Sequence, residues 1–273
     1  MMVHITRSRV NTFRQTLTVA ICCAAAPLLF VGQGALAQAR EGDAKSILKA
    51  TADYVSVQQT IELKFDSDIE VVTPELEKIQ FTNSGEVLLS RPDKLRAHRV
   101  GGYADVALYF DGKTASIYGK NLNAYAQFEV PGTVDHLIEA MRVGHGVALP
   151  GADLLLSRPY DVLVADVIEA KHMGRGVIDG VETEHLAFRN FDTDWQLWVE
   201  VGDKPVPRKM VITSKTVNGA PQYTFRVKSW KTGAAPAAGA FKFVPPPGAE
   251  KIDAEALIEL DELPPEAPAG ERQ

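Results

Sequence analysis

From residue 61 to residue 71 apolar and polar side chains alternate. Ile61, Leu63, Phe65, Ile69 and Val71 fall on one side, and Glu62, Lys64, Asp66, Asp68 and Glu70 on the other. A period of two marks a β-strand with one dry and one wet face. The pattern returns at residues 79–89 and, less cleanly, at 95–100, 106–110, 115–118 and 124–128. Turn residues punctuate it: Asn83-Ser84-Gly85, Arg91-Pro92-Asp93, Gly101-Gly102, Asp111-Gly112 and Gly119-Lys120-Asn121. Parallel strands need long crossovers, so strands joined this tightly form an antiparallel meander. Strand signals resume at residues 170–178 and 182–189 around Asp179-Gly180, a two-residue hairpin turn. They continue at 195–201, 208–216 and, after Asn218-Gly219, at 222–230. The sum is about eleven strands and three or four short helices, an α+β chain.

The first 39 residues read as a cleaved secretory signal. Arg7, Arg9 and Arg14 precede an apolar stretch over residues 17–31, and Ala35-Leu36-Ala37 and Ala37-Gln38-Ala39 supply the small residues that a signal peptidase selects. The stretch is short and broken by Pro27 and Gly32, unlike a membrane span. Ile21 is a poor residue before a lipidated Cys22, so cleavage is the reading adopted over a lipoprotein. Cys22 and Cys23 are the only cysteines, so the processed chain has no disulfide. Its 26 basic and 35 acidic residues give a net charge of −9 and argue against a nucleic-acid partner. The expected product is a periplasmic protein with one domain over residues 40–249. Residues 250–273, with eight acidic and two basic side chains and several prolines, read as a poorly ordered acidic tail.

Before the strands and between their two runs the pattern changes to helical spacing. Asp43 suits the N-cap of an amphipathic helix carrying Ile47, Leu48, Thr51, Ala52, Tyr54 and Val55. Thr133 suits the cap of a second helix, in which Val134, Leu137, Ile138 and Met141 form one apolar stripe ended by Gly144 and Gly146. Residues 152–156 form a further apolar piece, and residues 162–168 fit helix or strand. This middle region reads as one to three short helices laid over the sheet.

Gly85-x5-Arg91-Pro92, then Asp111-Gly112-Lys113-Thr114, and finally Phe241-x-Phe243-x-Pro245-Pro246-x-Gly248 resemble the outer-membrane lipoprotein carrier family. His185 to Arg189, Trp195-Gln196-Leu197-Trp198 and Pro205-x-Pro207-Arg208-Lys209 resemble an uncharacterised family of predicted periplasmic proteins. The carrier resemblance implies a half-open antiparallel barrel whose concave apolar face is closed by short helices. It also implies a latch role for Arg91, bonding to that lid. The position where carriers use an aromatic residue to handle acyl chains is Leu95 here.

Two arrangements fit the cover. It can be an ordinary helix packed on a sheet, or the lid of a cavity lined by Leu95, Val134, Leu137, Ile138 and Met141. Trp195 and Trp198 fall on opposite faces of one strand, so one of them can face the cavity. The expected function is a periplasmic binding or carrier protein for an acyl chain or other hydrophobic moiety, with a lipid or acylated protein as ligand. The alternative is a sensor or envelope-complex module that uses the fold without a ligand. No cofactor or metal is expected: His136, His145, His172 and His185 lack ligand spacing. Asp192 and Asp194 fit a solvated turn, Ser157 and Ser214 lack a nucleophile elbow, and the chain is not expected to be an enzyme, with a hydrolase of unrecognised site as the second alternative.

Overall fold

The computed structural model describes residues 33–147 and 149–253. Six strands run in sequence as a meander: β1 (Thr60–Val72), β2 (Lys78–Ser90), β3 (Lys94–Gly101), β4 (Asp105–Phe110), β5 (Thr114–Gly119) and β6 (Ala124–Glu129). Five more follow the helical middle: β7 (Glu169–Ile178), β8 (Val181–Arg189), β9 (Thr193–Glu200), β10 (Pro207–Ser214) and β11 (Gln222–Thr232). The two meanders join where β1 pairs antiparallel with β11. One continuous sheet results, in the order β12-β6-β5-β4-β3-β2-β1-β11-β10-β9-β8-β7, open at both edges. This is the half-open antiparallel sheet with helices on its concave side.

Twelve strands stand where about eleven were expected. The extra one, β12 (Glu250–Lys251), pairs parallel with β6 and lies at the start of the segment read as acidic tail. Ile252 N–H donates to the Tyr125 carbonyl at 2.9 Å, and the Ile252 side chain packs on the core. The rest of that tail, from residue 254, lies outside the described residues, as does the leader up to residue 32. Asn83-Ser84-Gly85 is no turn but the middle of β2. Gly85 is opposite Phe65, and a Cβ there would collide with the Phe65 ring, so the glycine makes room for an aromatic across the strand pair. Asp179 and Gly180 form the expected hairpin turn, both with positive φ (50° and 82°).

The inner face of the sheet carries two cores. In the first, Ile61, Leu63, Leu89, Leu95, Phe110 and Ile117 meet Val55 of helix α1 (Gln33–Ser56) and the cover segment described below. In the second, Leu186, Phe188, Trp195, Leu197, Val199 and Met210 meet Ala44 and Leu48 of α1 and Leu163 of α3 (Pro159–Val164). Helix α1 therefore serves both cores along one stripe: Ala44, Leu48, Thr51, Ala52 and Val55 are all buried. Buried Thr51 satisfies its hydroxyl on the Ile47 carbonyl one turn back. The described residues are helical from Gln33 on, so Asp43 lies within α1 rather than at its N-cap. Residues 162–168 resolve by proline chemistry: Pro159 sits in the first turn of α3, which ends at Val164.

Candidate functional site

The candidate site is the cover over the first core. It begins where Val134 N–H donates to the Pro92 carbonyl at 2.9 Å, docking the start of α2 (Val134–Glu139) on the turn between β2 and β3. Thr133 caps that helix as expected, accepting from His136 N–H at 3.3 Å. The helix continues as a π-turn (Ala140–Gly144), and the chain then forms a 3₁₀ turn (Ala152–Leu155). Val134, Leu137, Ile138 and Met141 point into the first core and are almost fully buried, as is Leu95 on β3 beneath them. The 3₁₀ turn is the seam between the cores: Leu154 belongs to the second, Ala152 and Leu155 to the first.

Polar side chains fasten this cover at its margins. Arg91, half-buried beside a cis Arg91–Pro92 peptide, donates from Nη2 to the Leu156 carbonyl and from Nε to the Gln58 carbonyl, both at 3.2 Å. One guanidinium thus ties the end of the 3₁₀ turn to the end of α1. Burial lowers the Arg91 pKa and the nearby Asp135 carboxylate opposes that shift; a guanidinium stays charged throughout. Asp135 accepts from the Ser157 backbone N–H at 3.0 Å and from its hydroxyl at 2.5 Å. Arg142 holds Asp153 by two parallel bonds of 2.6 and 3.0 Å and donates to the Leu149 carbonyl at 2.9 Å. That fork is the geometry in which Arg–carboxylate pairs are strongest. Arg142 and Asp153 carry no signal in the sequence, because an eleven-residue separation matches no helical or strand register that would bring them together.

Beneath the cover the interior is filled. Two hollows among the described residues hold about 140 Å³ each. One lies between the outer face and Phe241–Phe243, the other between Glu62, Leu88 and the Ala234–Ala237 segment. Neither touches the cover, and both fall below the roughly 300 Å³ at which small-molecule pockets begin. Leu95, Val134, Leu137, Ile138 and Met141 are each 6% exposed or less, so the cover packs directly on the sheet in this conformation.

The two tryptophans separate as alternation requires. Trp195 faces inward into the second core, stacked on Phe188 at 3.9 Å, with its Nε1 donating to Asn190 Oδ1 at 3.3 Å. Trp198 lies on the outer face, stacked on His185 at 4.1 Å, with the Lys209 ammonium 4.8 Å from its ring centre. The proposed lining therefore divides three ways: Leu95 and the four cover residues in one core, Trp195 in the other, Trp198 outside. A third tryptophan, Trp230, packs against the first core, and its buried Nε1 finds no hydrogen-bond partner among the described residues. The histidines are dispersed: His145 lies tilted against Phe128 at 4.3 Å, His172 bonds Glu184, and His185 bonds Gln196.

A family model for predicted periplasmic proteins, DUF2092, matches residues 44–255. The chain belongs to the DUF2092 family. The matched span takes in both cores, the cover and β12 of this DUF2092 protein. No curated protein matches it. Three solved structures are similar in fold. Mycobacterium tuberculosis lipoprotein LppX is 13% identical, with a TM-score of 0.45 over 71% of this chain and 98% of that one. Pseudomonas aeruginosa MucB, solved with MucA, is 16% identical, with a TM-score of 0.43 over 74% of this chain and 61% of that one. LolA superfamily protein NE2245 from Nitrosomonas europaea is 12% identical, with a TM-score of 0.34 over 73% of this chain and 97% of that one. No helix among the described residues is long and apolar enough to cross a membrane.

Proposed function

We propose that this protein is a periplasmic carrier of an acyl chain or similar hydrophobic moiety, here in its closed state. The observation that carries the reading is the construction of the cover. It is apolar underneath, is built from helical pieces of six, five and four residues, and is fastened by polar bonds at its margins. Such a piece can lift when a guest replaces its side chains against Leu95, Phe110 and Ile117. Each methylene of the guest removed from water contributes roughly 0.8 kcal/mol, so a long chain can offset the parting of the cover. Arg91 is the latch, since it joins cover and frame through a single side chain. The test is uptake of a fluorescent fatty-acid probe. Leu137→Glu, which puts a charge on the guest's path, is expected to abolish uptake while the far-ultraviolet circular dichroism stays unchanged. Full uptake by a folded Leu137→Glu variant would overturn the reading.

The filled interior favours a second reading, an envelope interaction module that never opens. Native mass spectrometry of the protein purified from the periplasm separates the two: co-purified lipid supports the carrier, and its absence together with a lack of probe uptake supports the module.

A further inference from the structure

The two ends of the sheet differ in what their turns present to solvent. At one end lie the turns β1–β2, β3–β4, β5–β6, β8–β9 and β10–β11, because an antiparallel meander sends alternate turns to the same edge. Each carries one large exposed apolar side chain: Leu76 (63% exposed), Tyr103 (57%), Leu122 (61%), Phe191 (88%) and Val217 (49%). The four hairpin turns of the opposite end, residues 91–93, 111–113, 179–180 and 201–206, carry none. Val57 and Val177 are exposed near that end, but outside its turns.

We propose that the apolar-tipped end is a docking edge for a zwitterionic phospholipid bilayer. The tips sit on five separate hairpins along one edge of the sheet, and Tyr103 packs edge-on against Phe81 at 5.2 Å. They are flanked by small or polar residues, as in Gly101-Gly102-Tyr103, Asn121-Leu122-Asn123 and Asn190-Phe191-Asp192. An isolated apolar prong between polar neighbours suits the boundary between headgroups and acyl chains. Leu76 adds an independent sign. It holds φ at 66°, where glycine or asparagine is favoured over a bulky residue, and yet its side chain is turned to water. The lysines of this edge are already neutralised, Lys78 by Glu70, Lys120 by Asp105 and Lys215 by Asp194, so nothing there selects an anionic surface.

The position of α1 agrees. Its C-terminal end feeds β1 at the opposite end, and Ala44 packs in the second core with Ala170 near the start of β7, so its N-terminal end points to the docking edge. The apolar residues 17–31 precede it. A precursor still held in the membrane by that stretch would therefore meet the bilayer edge-first. Docking deepens the carrier reading, on which it rests, because it sets one end of the concave face against lipid.

The test is flotation of the processed protein with phosphatidylcholine vesicles, which needs no guest. The wild type is expected to float, with no loss at raised salt. The Leu122→Ser/Phe191→Ser variant is expected to lose binding by about tenfold or more, while Val57→Ser/Val177→Ser binds normally. Since the processed chain lacks cysteine, an environment-sensitive dye on Leu122→Cys or Phe191→Cys reports insertion directly. Its emission is expected to shift blue with vesicles, and that of a Val57→Cys label to stay unchanged. A wild type that ignores the vesicles, a double variant that floats as well, or binding that needs anionic lipid and vanishes with salt would each overturn the proposal. So would a protein captured at the edge in place of vesicles. Flotation without fatty-acid uptake leaves docking intact and removes the carrier reading; uptake without flotation does the reverse.

Discussion

The two cores share one sheet and one helix, but they are closed in different ways. The second is roofed by an unbroken stretch of α1 together with α3, and its sheet side is set by the Phe188–Trp195 stack. The first is roofed mainly by helical fragments, with only Val55 and the partly buried Tyr54 of α1 reaching it. Leu137 and Leu197 are equally buried, at 0% exposure. What differs is what must break to expose them. Leu197 is carried by a strand in the middle of the sheet beneath α1, whereas on the carrier reading Leu137 is released when the bonds at the cover's margin part and its apolar underside leaves the sheet. Burial alone therefore does not say whether a side chain is frame or door; the continuity of the element that carries it does.

The sharpest way to break this contrast is to delete equivalent side chains. Leu197→Ala should cost about 2–5 kcal/mol in global stability, read as a lower denaturant midpoint with hydrogen-exchange protection reduced throughout the sheet. Leu137→Ala removes the same atoms, but its effect should concentrate in the cover. Amides of residues 134–156 should lose protection while β7–β10 keep theirs. Uniform loss in both variants would show that the cover is as much frame as the rest.

A smaller effect is expected at the margin. Arg142→Ala removes the fork to Asp153, both partners lying about a quarter to a third exposed. The loss should be roughly 1 kcal/mol and confined to exchange of residues 140–156, with the melting temperature nearly unchanged. The smallest effect concerns the outer face. Burial beneath the Trp198 ring lowers the His185 pKa, partly offset by the bond to Gln196, while Lys209 lowers it further. A histidine depressed in the folded state takes up its proton more readily in the unfolded chain. Its contribution is thus full above the ordinary histidine value and is lost as pH falls through the folded value. A slight fall in melting temperature on acidification below about pH 6.5 should diminish in His185→Gln, and an identical profile in the variant would contradict this account.

Much of this was legible in the chain itself. The alternation from Ile61 onward located all six strands of the first meander, and Thr133 located the start of α2, because each rests on neighbours close in sequence. The limits fall where distant contacts decide. Asp43 looked like a helix start, but α1 begins earlier. Nothing local in Glu250 and Lys251 announces a parallel strand beside β6. Phe243, read only as part of a motif, lies on the outer face among Tyr109, Tyr118 and Tyr125, from three different strands. Whether the space under the cover is empty or filled depends on the summed volumes of side chains from β1 to β6, which no single stretch discloses.

The distribution of the indoles gives the molecule its own instrumentation. Its three tryptophans sit in three surroundings: Trp195 inside the second core, Trp230 against the first with its N–H unpartnered among the described residues, and Trp198 outside between an imidazole and an ammonium. Replacing any two by phenylalanine leaves a single emitter that watches one district. On the carrier reading, the Trp230-only chain is expected to register a hydrocarbon guest while the Trp195-only chain stays silent, so that the protein could be followed by its own light.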